Sequence, residues 1–291
     1  MKHSALFVVN PFSGDLPHKD EIVRSICDQL PSYDIRIWKT TGEQDKEKLS
    51  KVLGEVSWEL ILVGGGDGTI KMVAEAMEGK DCCLVPVPFG SANGLATCLG
   101  IESWEDSLKS LASGTRKPMD LLEVNGQVCL HLCDFGFNAD LIRKFEEGHE
   151  RGMPAYLKNS LASFFELKPY RFEVNTGAKK EWVSAKMLVI ANGTKYGTGA
   201  TINPHGRMDD GLFEIIALNP EGMQEWVELT YGLVKKELDG LDFVQTWSRS
   251  SVRLLNADDA PFHIDGEPVA GAESVEIRIG KRKICLYYLD S

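Results

Sequence analysis

Three short apolar runs constrain this chain most, because each ends in a loop of small and polar residues. Leu6 to Asn10 runs into Asn10-Pro11-Phe12-Ser13-Gly14. Glu59 to Val63 (ELILV) runs into Gly64-Gly65-Gly66-Asp67-Gly68-Thr69. Thr69 to Met77 then sets Ile70, Val73, Ala74 and Met77 on one helical face, closed by Gly79. Cys83 to Val87 runs into Pro88-Phe89-Gly90-Ser91-Ala92-Asn93-Gly94, and Ser91 to Leu99 opens another helix. Between these units, His18–Leu30, Gln44–Leu53 and Trp104–Ala112 carry helical spacing, while Tyr33–Trp38 alternates like a strand. Strands and helices in this order imply a parallel sheet covered by helices.

Near Met119 the pattern changes. MDLLEV and QVCLHL are joined by Asn125-Gly126, a strong hairpin signal. Helical stretches are expected at Leu141–Glu147 and Tyr156–Glu166. Strands are expected at Tyr170–Val174, Ser184–Ala191, Leu212–Leu218, Ser251–Leu255, Ser274–Ile279 and Ile284–Leu289, interrupted by a helix from Glu221 to Glu237. The expected architecture is therefore α/β plus β-rich: a parallel-sheet α/β domain over 1–122, then an antiparallel β-sandwich or barrel with inserted helices over 123–291. The boundary falls near Leu121–Glu123, and the last strand is free to return to the first domain.

At 291 residues the chain is long enough for two cores. Its 32 basic side chains against 43 acidic ones give a net charge of -11. That argues against sequence-independent nucleic-acid binding, which needs a basic surface, and confines any contact with an anionic membrane to a local patch. No apolar run approaches the ~18–20 residues that span a bilayer. The cysteines are Cys27, Cys82, Cys83, Cys98, Cys129, Cys133 and Cys285; their odd number and the absence of CxxC predict reduced core thiols in a cytoplasmic protein. Lys281-Arg282-Lys283 reads as a solvated turn between two terminal strands.

Parallel sheets bind ligands beyond the carboxyl ends of their strands, where the three loops fall. Glycines let backbone N–H groups approach an anion, and a helix N-terminus adds partial positive charge, so three such loops suit a polyphosphate. GGGDGT is not a Walker A motif, and Thr69 stands where G-x-G-x-x-G requires its third glycine. An aspartate in such a loop would repel phosphate unless it holds Mg²⁺ or accepts a proton, which singles out Asp67. Further glycine-punctuated loops occur at Ala191–Gly199, Asn203–Gly211 and Phe262–Glu267. Taken alone, Asp209-Asp210-Gly211 and Asp265-Gly266-Glu267 are ordinary turns, and His263 is a core or hydrogen-bonded histidine. No His/Cys group has zinc spacing, and Ser13 and Ser91 lack a hydrolase-type His/Asp pattern.

The segments NPFSG, GGGDGT, PFGSANGLA, GFNAD, ANGTKYGTG, DDGLF and HIDGE, in that order, resemble the catalytic-domain family of diacylglycerol kinases, sphingosine kinases and related bacterial lipid kinases. GGDGT alone is shared with NAD kinases and phosphofructokinases; only the ordered set is specific. The resemblance implies a kinase with a NAD kinase/diacylglycerol kinase-like α/β domain and a β-rich domain, which moves the γ-phosphate of ATP to a lipid hydroxyl with Mg²⁺. It implies that Asn10, Thr40, the run from Gly65 through Gly66, Asp67, Gly68 and Thr69 to Lys71, Ser91 and Asn93 contact ATP. Asp67 would organise Mg²⁺–ATP or act as base, and Glu267 would accept the proton of the lipid hydroxyl; which is the base stays open. Asp210, with the carbonyls of Arg207 and Leu212, would form a structural metal loop, and Asp140 would meet the lipid head group. The resemblance further implies a cytoplasmic enzyme peripheral at the inner membrane face, with ATP and a membrane lipid as partners, no nucleic acid, and scope for a homodimer.

Two positions depart from the family pattern. Lys71-Met72 replaces the usual Asn-Glu after GGDGT-Ile, and Asn93-Gly94 replaces Asn-Asp in the third loop. Losing both carboxylates bears on Mg²⁺ binding and substrate choice. Two other readings are a kinase for a soluble substrate such as NAD and a catalytically weak nucleotide-binding regulator.

Overall fold

The computed structural model describes residues 2–77, 79–136, 168–196, 200–270 and 273–289. The chain divides into two compact units, residues 1–120 with 281–291 and residues 121–280. The helices expected at Leu141–Glu147 and Tyr156–Glu166 lie outside the described residues.

In the first unit β1 (His3–Val9), α1 (Lys19–Gln29), β2 (Tyr33–Lys39), α2 (Asp45–Glu55), β3 (Leu60–Gly65), α3 (Asp67–Ala76), β4 (Cys83–Pro88), α4 (Gly94–Cys98) and α5 (Trp104–Ser113) follow one another. Parallel pairing gives the order β2-β1-β3-β4, and the chain's last strand adds beside β4. Ala5, Phe7 and Val9 pack with Leu60, Leu62, Val85 and Val87 against Val23 and Ile26 of α1, and Leu108 and Leu111 of α5 join them. Leu6, Val8, Ile61 and Val63 point to the other face and are equally buried, as are Leu49 and Leu53 of α2 and Ile70 and Val73 of α3. Burial on both faces is why ELILV reads as an unbroken apolar run.

β5 (Thr115–Val124) carries the chain into the second unit. There follow β6 (Gln127–Cys129), β7 (Leu132–Phe135), β8 (Tyr170–Asn175), β9 (Lys180–Ala185), β10 (Met187–Ala191), β11 (Lys195–Tyr196), β12 (Ala200–Thr201), β13 (Phe213–Leu218), α6 (Gly222–Lys235), β14 (Val244–Arg249), β15 (Ser251–Asn256), β16 (Phe262–Ile264), β17 (Glu267–Val269) and β18 (Ser274–Tyr288). One sheet pairs β18, β15, β8 and β9 in turn, with β5 beside β18 and β6 beside β5; the other runs β14-β13-β10-β7-β16-β17 with antiparallel pairing. Phe135, Phe172, Ile190, Phe213, Leu254, Phe262 and Ile277, from both sheets, share one core, as a sandwich requires. The alternate residues Val189, Ile216 and Leu218 pack instead on Trp226 and Leu229 of α6. Asn125 and Gly126 both have positive φ, 48° and 82°, which is the two-residue turn expected of that pair.

Several expectations need correction. Lys281-Arg282-Lys283 is not a turn: β18 runs unbroken through it, because its first half pairs with β15 and its end with β4. The Lys283 ammonium sits 2.8 Å from the buried Asp120 carboxylate. Ser184–Ala191 is not one strand. β9 and β10 belong to different sheets, and the chain corners at the buried Lys186, whose ammonium donates to Pro220 O at 2.9 Å. The helix expected from Ser91 begins only at Gly94, because Asn93 stands at φ 51°. β14, polar and half-exposed, escaped the apolar pattern. Finally, Cys83 and Cys285 form a disulfide, whereas Cys27, Cys82, Cys98, Cys129 and Cys133 are free thiols. The parallel register puts these two cysteines opposite each other across 202 residues, a pairing that local spacing cannot show.

Candidate active site

In the first unit the chain leaves β1 toward β2 on one side and returns to β3 on the other. The loops after β1 and β3 therefore flank a topological switch point, the usual ligand crevice of an open parallel sheet. A cavity of about 390 Å³ opens there. Asn10, Phe12 and Ser13 line it from the first loop, Thr40, Gly42 and Asp45 from the segment after β2, and Gly66, Gly68, Thr69 and Met72 from β3 and α3. Asn10 Nδ2 donates to Thr69 Oγ1 at 3.0 Å, and its Oδ1 accepts from Phe12 N–H, so one side chain ties the two loops together. The N–H groups of Thr69 and Ile70 close onto Gly66 O, which leaves those of Asp67 and Gly68 without an intrahelical partner. Amides, hydroxyls and a helix N-terminus around one cavity suit an anion.

The third loop is held against this wall by backbone contact. A Cβ on Gly90 would lie 2.5 Å from Gly66 Cα, and one on Gly14, at φ 59°, would lie 2.3 Å from Phe89 O. Asn93 accepts from Gly90 N–H and donates to Gly90 O, so its side chain staples its own loop instead of lining the cavity. Ser91 is exposed and Gly65 is packed on Thr69; neither lines the cavity. Asp67 has both oxygens engaged: Gly94 N–H donates to Oδ2 at 2.8 Å and Leu95 N–H to Oδ1 at 2.9 Å. The aspartate thus holds the N-terminus of α4 beside that of α3.

Sequence reasoning missed Phe12, Gly42, Asp45 and Met72 as lining residues. Partial burial pushes the Asp45 carboxyl up, but the N–H groups of Thr41 and Gly42 and the Thr41 hydroxyl outweigh it and hold it below the usual carboxylate range. The signal was a Thr-Thr-Gly turn with an acid three residues on. Both departures from the family pattern fall here: Met72 lines the cavity, and the Gly94 amide is bonded to Asp67.

In the second unit, Asp265 (φ 51°) and Gly266 (φ 82°) form the two-residue turn between β16 and β17. Glu267 follows it, exposed and paired through its backbone with Ile264, and its side chain makes no hydrogen bond or ion pair among the described residues. Asp265 is the opposite case. Its side chain is 3% exposed, and it accepts from Leu130 N–H at 2.9 Å and His131 N–H at 3.0 Å, with His131 Nδ1 at 2.9 Å. Burial pushes this carboxyl up, but His131 and the two backbone N–H groups prevail and hold it below its ordinary value. Two residues back along β16, the buried Asp134 stands opposite His263, with Nδ1 3.6 Å from its carboxylate. Burial raises the Asp134 carboxyl, with His263 and Tyr196 opposing. His263 is thus the core histidine expected, but the doubled Asp–His arrangement was not legible in the sequence.

The remaining predicted residues are less defined. Asp210 accepts from Leu212 N–H at 3.0 Å within its own turn, and Arg207 Nε donates to Asp209. Among the described residues no group of three or more His, Cys, Asp or Glu side chains gathers as a metal site. A Mg²⁺ ion whose shell is largely phosphate oxygen and water needs no such group. Asp140 and Gly197-Thr198-Gly199 lie outside the described residues.

Comparison with known proteins agrees with this layout. Residues 4–124 match the diacylglycerol kinase catalytic domain, and residues 133–281 match the YegS C-terminal NAD kinase beta sandwich-like domain. A protein of Enterobacter sp. (strain 638) named "Probable lipid kinase YegS-like" is 29% identical over 276 residues, covering 92% of this chain and 90% of that one. One of the same name from Pseudomonas aeruginosa is 29% identical, covering 80% and 78%. A crystal structure of a diacylglycerol kinase from Bacillus anthracis str. Sterne superposes with a TM-score of 0.73 at 18% identity, over 99% of this chain and 97% of that one, which shows a shared fold. With both halves matched in order, the chain belongs to the diacylglycerol kinase catalytic-domain family, in the form that carries a YegS-type C-terminal sandwich.

Proposed function

We propose that this protein is an ATP-dependent lipid kinase that transfers the γ-phosphate of ATP to the hydroxyl of a membrane lipid of the diacylglycerol or sphingoid-base type. The observation that carries the reading is the amide-lined cavity at the β1/β3 switch point, in a chain whose two halves match a diacylglycerol kinase catalytic domain and a YegS-type sandwich. Relatives named as lipid kinases over nine-tenths of their length support the acceptor class.

In this reading the first-turn amides of α3 and the Gly66–Thr69 loop bind the polyphosphate, while Asn10, Thr40 and Thr69 orient it. Phosphoryl transfer asks for positioning and charge stabilisation, with little covalent work by the protein. Bound Mg²⁺ supplies charge neutralisation. Asp67 keeps the loops after β3 and β4 in one arrangement through the Gly94 and Leu95 amides. Glu267 takes the proton of the acceptor hydroxyl; it is solvent-accessible and directly follows a two-residue turn.

The test is transfer of radiolabelled phosphate from ATP into diacylglycerol, sphingosine, ceramide and a polyprenol, with Glu267→Gln in parallel and NAD as a soluble acceptor. Label in one lipid, lost in the variant, is expected. ATP binding with no lipid labelled, or NADP formation, overturns the reading.

A further inference from the structure

A helix that covers a sheet normally turns polar residues to solvent; α6 turns a stripe of apolar ones there as well. Trp226 and Leu229 are buried against the sandwich. On the solvent side Met223, Val227, Tyr231 and Val234 are 49%, 47%, 58% and 65% exposed. At 3.6 residues per turn these four fall within an arc of about 80°. Gln224, Glu228 and Lys235 flank the stripe on one side only. Together the four expose on the order of 400 Å² of mainly apolar surface, a size that marks interaction sites on soluble domains.

We propose that this stripe docks the protein on a lipid bilayer, with α6 lying along the boundary between headgroups and acyl chains. Two observations favour a lipid surface over a second copy of the chain. The area is about half of the ~800 Å² per partner that stable protein interfaces bury, whereas an interfacial helix needs no matching surface. The C-terminal end of the stripe also has interfacial chemistry: the Lys235 ammonium lies 5.9 Å from the Tyr231 ring, and Lys236 follows, exposed, at the helix cap. An aromatic ring with a polar tip and long-stemmed cations settle at headgroup level and complement anionic lipids. The net charge of -11 repels such a surface elsewhere, so contact must be local. The choice of lipid rests in part on the lipid-kinase reading; the stripe itself does not.

The test is co-sedimentation with vesicles of phosphatidylcholine containing phosphatidylglycerol, comparing the full chain with V227Q/V234Q. Both positions are exposed, so the variant is expected to melt with the parent. It is expected to lose vesicle binding at least about tenfold, the lower bound for withdrawing two half-exposed valines from an apolar phase, while phosphorylation of a water-soluble short-chain acceptor is unchanged. A Val234→Trp variant gives a second readout, with fluorescence quenched by brominated lipid if the stripe inserts. Absence of vesicle binding by the parent, or equal binding by V227Q/V234Q, overturns the proposal. So does a concentration-dependent dimer that V227Q/V234Q abolishes while vesicles bind neither form. Vesicle binding through the stripe without phosphorylation of any lipid leaves docking standing and removes the kinase reading; the converse removes docking alone.

Discussion

Asp265 and Glu267 are two residues apart, yet the structure predicts opposite consequences for their removal. Asp265→Asn keeps the shape of the side chain but discards the charge beside His131, and its amide must turn a donor toward either Leu130 N–H or His131. Breaking one partner of a buried pair costs about 3–5 kcal/mol; with one acceptor oxygen retained, we expect ~2–4 kcal/mol. For a unit of this size that lowers Tm by roughly 5–15 °C, read by calorimetry and urea unfolding. Because the folded carboxyl is held below its ordinary value, its contribution is present above the unfolded value of about 4 and is lost as pH falls through the folded one. The stability gap between parent and Asp265→Asn should therefore close in acid. Glu267→Gln, exposed and unbonded among the described residues, should leave Tm unchanged and cost on the order of 10²–10⁴ in kcat, the worth of a general base, with ATP affinity intact. An Asp265→Asn protein that melts with the parent but is inactive would refute the anchoring role and move the chemistry to Asp265.

Gly90→Ala places a methyl 2.5 Å from Gly66 Cα, where only backbone can yield; ATP affinity by calorimetry should fall at least tenfold with about 1–3 kcal/mol lost in urea unfolding, and unchanged affinity would detach the third loop from the nucleotide wall. Asp134 has a folded carboxyl raised by burial, so its favourable contribution is present below about pH 4 and disappears as pH rises through the folded value. Asp134→Asn should accordingly gain stability relative to the parent as pH rises above about 4, which urea titrations at several pH values will show or contradict. Cys285→Ser opens the bridge to Cys83 and should cost about 2–4 kcal/mol in non-reducing buffer, with no difference from the parent once both are reduced.

The first unit was legible because its signals are local. An apolar strand, a glycine loop and an amphipathic helix follow one another within 19 residues at Glu59–Met77, and parallel topology then puts the loops at one sheet edge. The second unit was legible as strands but not as pairings. β18 was split at Lys281-Arg282-Lys283 because three cations look like a turn, yet the strand has a different neighbour on each side of them. Ser184–Ala191 was fused because the corner residue, Lys186, hides its charge through a carbonyl 34 positions away. Thr40 was assigned to the site by resemblance and lines the cavity. Ser91 and Asn93, assigned the same way, do not, because Asn93 spends its side chain on Gly90.

In a chain with 43 carboxylates, acidity by itself points nowhere; what separates these residues is what their oxygens already accept. Asp45 holds the Thr41–Gly42 turn, Asp67 the start of α4, Asp210 its own loop, and Asp265 the Leu130–His131 segment, each through backbone N–H groups. A carboxylate whose oxygens already hold amides in place would weaken those bonds on taking a proton, and loosen its loop with them. Glu267 has no such obligation among the described residues and rises from a turn that Asp265 anchors two residues before it. In the proposed reaction this makes Glu267, not Asp67, the acceptor of the hydroxyl proton. It also gives Asp67 a task that alanine scanning alone would mistake for catalysis, because removing it frees the α4 amides and loosens the phosphate wall. Measuring ATP affinity separately from turnover distinguishes the two roles: Asp67→Ala should lose affinity first, Glu267→Gln turnover alone.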